Sequence, residues 1–149
     1  MVANDLFFSE YVEGSSFNKA LEIANFTDDD VSLDDYAVDI SFNGGTSVTS
    51  IQLSGTLADQ DVFVIADDGA EPAILAEADL TPTSSFFNGN DAITLKKNDE
   101  IVDVFGQVGA NPGASWPGGD ANVTLRRKSS VVAGDTNPGD AFDAAAEWD

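Results

Sequence analysis

Arg126, Arg127 and Lys128 stand together in a chain with only six basic residues against 27 acidic ones, a formal net charge of −21. Three adjacent cations could contact a phosphate backbone or an acidic partner. Two considerations oppose that reading. Carboxylates are abundant enough to neutralise these cations, and the chain as a whole repels phosphate. In a strand, Arg126 and Lys128 would point one way and Arg127 the other, splitting the patch between two faces. Lys96 and Lys97 would join it only if their strand lay beside that of Arg126.

The acidic run Asp28-Asp29-Asp30, followed by Asp34-Asp35, offers a second chemistry. Calcium takes carboxylate oxygens from a flexible loop, and Asp28, Asp30 and Asp34 could supply them. The run lacks the central glycine and closing glutamate of an EF-hand loop. A solvated acidic loop without a bound cofactor is the simpler reading. Asp59, Asp61, Asp67 and Asp68 make a weaker cluster of the same kind.

Glu13-Gly14-Ser15-Ser16, with Asn18 and Lys19, reads as a structured turn in which glycine and hydroxyls satisfy the backbone. Ser15 and Ser16 have no histidine to activate them, because the chain contains none. It contains no cysteine either, so thiolate nucleophiles, disulfides and His- or Cys-ligated zinc are excluded. Paired carboxylates of the glycosidase kind are always available among 27 acids, and without geometry they carry no information. These absences point away from an enzyme.

The elements that position these residues are short and β-like. Tyr36, Val38, Ile40 and Phe42 alternate onto one face, as do Leu21 and Ile23 with Glu22 opposite. Leu6 and Phe8 should share a face, with Tyr11, three residues on from Phe8, on the other. Further strands are expected at 6–12, 20–25, 48–53, 61–66, 92–97, 101–105 and 122–125, with 61–66 central. Asn43-Gly44-Gly45 and Asn98-Asp99 read as hairpin turns. Residues 70–79 allow a helical turn or two, limited by Pro72. About eight or nine strands at this spacing predict an all-β antiparallel sandwich. Trp116, in the Gly- and Pro-rich loop 106–121, should fold back as a lid over one end of the core. Residues 129–149 read as a turn-rich extension packed on the sandwich.

A chain of 149 residues is one domain, and 42% hydrophobic residues suffice for a core. The abrupt start and end suggest a piece of a larger chain. The N-terminus has no basic segment or long apolar run, and nothing reads as a signal peptide or a bilayer span, so no membrane partner is expected.

Several segments resemble, in order, those of bacterial lamin tail domains. Phe8 to Asn25 matches the opening FSEY-x-EGSS-x-NKALEI-x-N signature. Phe87-Asn88-Gly89 with Asp91-Ala92-Ile93 and Leu95, then Ile101 to Gly106, match two further blocks. Thr124 to Lys128 and Phe142 to Trp148 match the closing ones. The resemblance implies an immunoglobulin-like β-sandwich. It also implies a non-catalytic interaction or targeting module within a secreted or surface protein, beside domains such as extracellular nucleases. Its partners would be neighbouring domains and, weakly, nucleic acid through Arg126, Arg127 and Lys128. A nucleic-acid-binding accessory domain and a calcium-dependent adhesion or carbohydrate module are the alternatives.

Overall fold

The computed structural model describes residues 2–149. Ten strands form: β1 Phe7–Glu13, β2 Lys19–Ala24, β3 Val31–Ser32, β4 Tyr36–Ser41, β5 Val48–Gln52, β6 Thr56–Leu57, β7 Val62–Ala66, β8 Ala92–Lys97, β9 Glu100–Phe105 and β10 Val123–Arg126. A single α-helical turn, α1, spans Pro72–Leu75 among the described residues, the length that Pro72 and the surrounding sequence allowed, and 3-10 turns lie at Leu33–Asp35 and Ala144–Ala146. All named pairings are antiparallel. Two four-stranded sheets, ordered β10-β1-β2-β7 and β5-β4-β8-β9, make an immunoglobulin-like sandwich. A small β3–β6 ribbon accompanies them. Its two-residue strands carry too little pattern to be read from sequence.

The core is where alternation placed it. Tyr36, Val38 and Ile40 are buried on one side of β4, and Leu21 and Ile23 on one side of β2. Tyr11 stacks on Phe105 at 3.9 Å and on Phe87 at 5.1 Å between ring centroids, tying the sheets together. The expectation that Phe8 and Tyr11 face opposite ways fails. The β1–β2 register shifts between Phe8 and Glu10, so Phe8 opposes Ile23, Tyr11 opposes Leu21, and both rings enter the core. A bulge at Ser9 adds one residue to β1 and resets its alternation.

A second correction concerns β7. Its continuous apolar run read as a central strand, but it is a sheet edge, pairing along its ladder with β2 alone. Its outward amides are satisfied by other means. Val62 N–H donates to Asp61 Oδ1 at 2.9 Å, Val64 N–H to Asp79 Oδ2 at 2.8 Å, and Ala66 N–H to the Leu80 carbonyl at 3.0 Å. An edge so covered cannot template another strand.

The hairpin turns use the backbone their residues permit. Asn98 and Asp99 both have positive φ, 49° and 67°, which matches the twist of the flanking strands. Trp116 closes one end of the core, its Nε1–H donating to the Asp91 carbonyl at 2.8 Å. Gly106 faces it so closely that a Cβ there would stand 2.8 Å from the indole. The tail also packs inward: Phe142 and Trp148 lie 4.8 and 5.3 Å from Phe105. Among the described residues no helix is long and apolar enough to cross a membrane.

Candidate functional site

The three consecutive cations have three different surroundings. The alternation of β10 carries on past its end at Arg126, so Arg127 turns inward while Arg126 and Lys128 face out. Arg126 is exposed and stands 3.5 Å from Glu10 on β1. Lys128 donates to the Ala145 carbonyl at 2.5 Å and lies 3.8 Å from Asp149. Arg127 is buried, its side chain 2% exposed. Its guanidinium forks onto Asp103, with Nη1 to Oδ2 at 2.9 Å and Nη2 to Oδ1 at 3.3 Å. Nη2 also reaches Glu147 at 2.6 Å, and Nη1 the Phe8 carbonyl at 3.3 Å. The group lies 4.9 Å from the Trp148 ring, so aromatic packing holds it as well.

Asp103 is the centre of this arrangement, and sequence reasoning passed over it. Its side chain is fully buried. Besides Arg127, it accepts from the amides of Phe8 at 2.8 Å, Val104 at 3.0 Å and Asp135 at 2.8 Å. β1, β9, the residue that follows β10 and the tail therefore meet on one carboxylate. Burial pushes its pKa up, while the Arg127 guanidinium and the Phe8 and Asp135 amides pull it down. Every neighbour donates, so the carboxylate serves as an acceptor. A signal existed: Asp103 is the lone charge in an otherwise apolar segment, Ile101 to Phe105.

The remaining basic residues repeat the pattern. Lys96 pairs with Asp39 at 2.7 Å, and Lys97 with Asp5 at 3.4 Å. Lys19 pairs with Glu13 at 2.5 Å, both side chains buried. All six basic side chains thus have a carboxylate of this chain within ion-pair distance. Lys96 and Lys97 do not join the 126–128 group, because β8 and β10 lie in different sheets.

The segment at Glu13–Lys19 is the β1–β2 hairpin. Glu13 and Lys19 close it as its last paired residues, and Gly14 N–H donates to the Asn18 carbonyl at 2.7 Å. A Cβ on Gly14 would stand 2.6 Å from that carbonyl, so only glycine fits. Lys19 also donates to the Gly14 carbonyl. Asn18 Oδ1 accepts from the Glu71 amide at 2.9 Å, tying this hairpin to the segment before α1. The Glu13 carboxylate holds the far loop as well, accepting from the Asn122 amide at 3.1 Å.

The acidic loop is organised by Asn25, a buried residue at the end of the signature. Its amide donates to the Asp29 and Leu57 carbonyls, each at 2.9 Å, and its Oδ1 accepts from Thr27. The carboxylates brace neighbouring backbone: Asp30 accepts from the Asp59 amide, Asp59 from the Asp28 amide and Asp34 from the Gly55 amide, each at 3.0 Å. Among the described residues no three metal-ligating side chains stand together as a cation would require.

A groove of about 380 Å³ lies over the outer face of β1, β2 and β7 beside α1. Its floor is apolar, with Val12, Val62, Val64 and Ile74, and its rim carries Glu10, Glu22 and Glu77. This is the wrong sign for phosphate. Its lining is aliphatic or acidic, with no hydroxyl, thiol or amine side chain among the lining residues.

Comparison with known families gives a match to the family model described as Lamin Tail Domain over residues 1–109. The segments 124–128 and 142–148 lie beyond the matched residues, although β10 and Trp148 complete the sandwich. No curated protein matches the chain.

Proposed function

The chain belongs to the lamin tail domain family, and on that footing we propose that it is a non-catalytic interaction module whose surface meets polypeptide rather than nucleic acid. One observation carries this reading: all six basic side chains are paired with carboxylates of the same chain. A phosphate-binding surface needs cations free to replace condensed counterions, and here each would first have to leave an internal partner. The composition supports the absence of catalysis, since without histidine or cysteine phosphoester hydrolysis would need a metal held by carboxylates alone, and peptide or glycoside hydrolysis a matched pair of carboxylates.

In this reading the module sits in a larger protein, outside the cell or at its surface, and its partners are neighbouring domains. The nuclease-accessory alternative shares the fold but needs the phosphate surface, so the pairing of the cations disfavours it. A calcium-dependent adhesion module needs clustered ligands, and the Asp28, Asp30 and Asp34 carboxylates are instead placed singly against backbone amides or solvent.

The test is a turnover panel on rigorously purified protein with DNA, phosphoester and peptide substrates, with and without divalent cations. No turnover is expected. Hydrolysis that persists through purification and disappears on substitution of one aspartate would overturn the reading.

A further inference from the structure

Each sheet of a sandwich has two edges, and an uncovered edge is a row of unpaired backbone donors and acceptors. Three of the four edges are covered. Carboxylates and the Leu80 carbonyl cap β7. β10 exchanges two hydrogen bonds with Asp149, Arg126 N–H to the Asp149 carbonyl and the reverse, each at 2.9 Å. The tail bars the β9 edge by position: Asp135 N–H and the outward Val104 N–H both donate to the Asp103 carboxylate, and Gly134 lies so close that a Cβ there would stand 2.1 Å from the Val102 carbonyl.

The fourth edge, β5, is open. Leu53 N–H donates to the Tyr36 carbonyl and Phe42 N–H to the Ser47 carbonyl. This register turns the backbone groups of residues 47, 49, 51 and 53 toward β4, and those of Val48, Ser50 and Gln52 outward. Among the described residues these outward groups meet no hydrogen-bonding partner. The strand is also regular, with no proline, glycine or register shift against β4. Residues 40–58 carry no charged side chain, the longest such stretch in the chain. The lysines, prolines and bulges that usually protect an edge are therefore all missing from β5.

We propose that the β5 edge is a strand-acceptor site, which an extended segment of a partner polypeptide completes by pairing with Val48, Ser50 and Gln52. The inference deepens the module reading and rests on it. Charge selects the occupant. The edge itself is neutral, so the paired body of the segment should be uncharged and β-prone. The chain around it carries −21, so the flanks of the segment should be basic. A second copy would bring another −21 against the first and is disfavoured. Main-chain hydrogen bonds would supply affinity, and the side chains beside Thr49 and Ile51 would supply selectivity.

The probe is the capped peptide Lys-Thr-Val-Thr-Val-Thr-Lys, added to the full 149-residue chain. The readout is amide hydrogen exchange by NMR. At saturating peptide, the Val48, Ser50 and Gln52 amides should exchange at least tenfold more slowly. A peptide N-methylated at alternate residues, unable to pair along that edge, should bind at least tenfold more weakly. Ser50→Pro, which removes one outward donor, should weaken binding similarly. The N-methylated arm leaves the protein untouched, so it decides even if Ser50→Pro does not fold. Three results would overturn the proposal: no slowing at those amides, equal binding by the N-methylated peptide, or slowing that grows with protein concentration without peptide, which would assign the edge to a second copy. Failure of the module reading would show separately, as turnover in the hydrolysis panel.

Discussion

The Arg127 guanidinium and the Asp103 carboxylate meet through two parallel contacts of 2.9 and 3.3 Å, with both side chains sealed from solvent. The pair joins the residue that follows β10 of one sheet to β9 of the other. Trp148, packed over the guanidinium, brings in the C-terminal segment. What reads in sequence as the middle of a three-residue basic patch is a cross-link between the two layers.

Removing one partner should therefore unfold much of the molecule. Asp103→Ala leaves a buried guanidinium and three amides facing an apolar methyl, and breaking a buried pair costs about 3–5 kcal/mol. Typical domain stability is only about 5–15 kcal/mol. Arg127→Lys keeps the charge but not the fork, and should fall between Asp103→Ala and wild type. Arg126→Ala breaks only an exposed pair and should cost under about 1 kcal/mol. Urea unfolding of the three variants checks the order, and an Arg126→Ala loss equal to that of Asp103→Ala would contradict it.

The Ser9 bulge makes a second contrast. Phe8 and Leu21 are core residues, so Phe8→Ala should cost about 3–5 kcal/mol and Leu21→Ala about 2–5. Glu22 faces outward and accepts one hydrogen bond from the Ser9 hydroxyl at 2.7 Å. Glu22→Ala should cost about 1 kcal/mol. Denaturant midpoints at constant m-value decide the matter. A Glu22→Ala loss as large as that of Leu21→Ala would place Glu22 in a buried network.

The chain has only two tyrosines, Tyr11 and Tyr36, and both should resist ionisation. Burial is the main cause of a raised pKa at each. At Tyr11 the charges of Glu13 and Asp91 add to it, and at Tyr36 the hydrogen bond to Asp5 and the charges of Asp5 and Asp35. Raised folded values mean that the stability from this source is intact below the unfolded tyrosine value of about 10 and is lost as pH rises beyond it. Absorbance at the phenolate band should stay flat in the native protein until alkaline unfolding, and then rise for both residues together. A phenolate signal near pH 10 from folded protein would contradict the burial of one ring.

Calcium should leave the thermal midpoint where it is, because the carboxylates of the 28–34 loop and Asp59 are placed singly along the backbone. The comparison is melting in excess calcium against melting in a chelator. An upward shift that Asp28→Asn or Asp30→Asn abolishes would show that the loop gathers around the ion after all.

How much of this was legible in the sequence depended on range. The alternation of Tyr36, Val38 and Ile40, or of Leu21 and Ile23, is a local signal, and the core followed from it. The hairpins at Asn43 and Asn98 were equally local. The Ser9 bulge was not readable, since one extra residue reverses the facing of Tyr11 without altering composition. The Arg127–Asp103 pair spans two sheets. Each partner could be noticed alone, one as part of a basic triplet and the other as a lone acid among apolar residues, but only the packing of the layers joins them. The open edge at β5 was likewise invisible, because it depends on what the other three edges have that β5 lacks.

The remaining measurement is a duplex DNA titration followed by fluorescence anisotropy at low and at physiological salt. A domain whose six basic side chains are all held by its own carboxylates should show no saturable binding at physiological salt up to a protein concentration of about 100 μM, at or beyond the weak end of ordinary non-specific affinities. Saturable binding at about 1 μM or tighter, with a steep salt dependence that flattens in the Arg126→Ala, Lys128→Ala double variant, would contradict this. It would show instead that the outward cations leave their partners for phosphate.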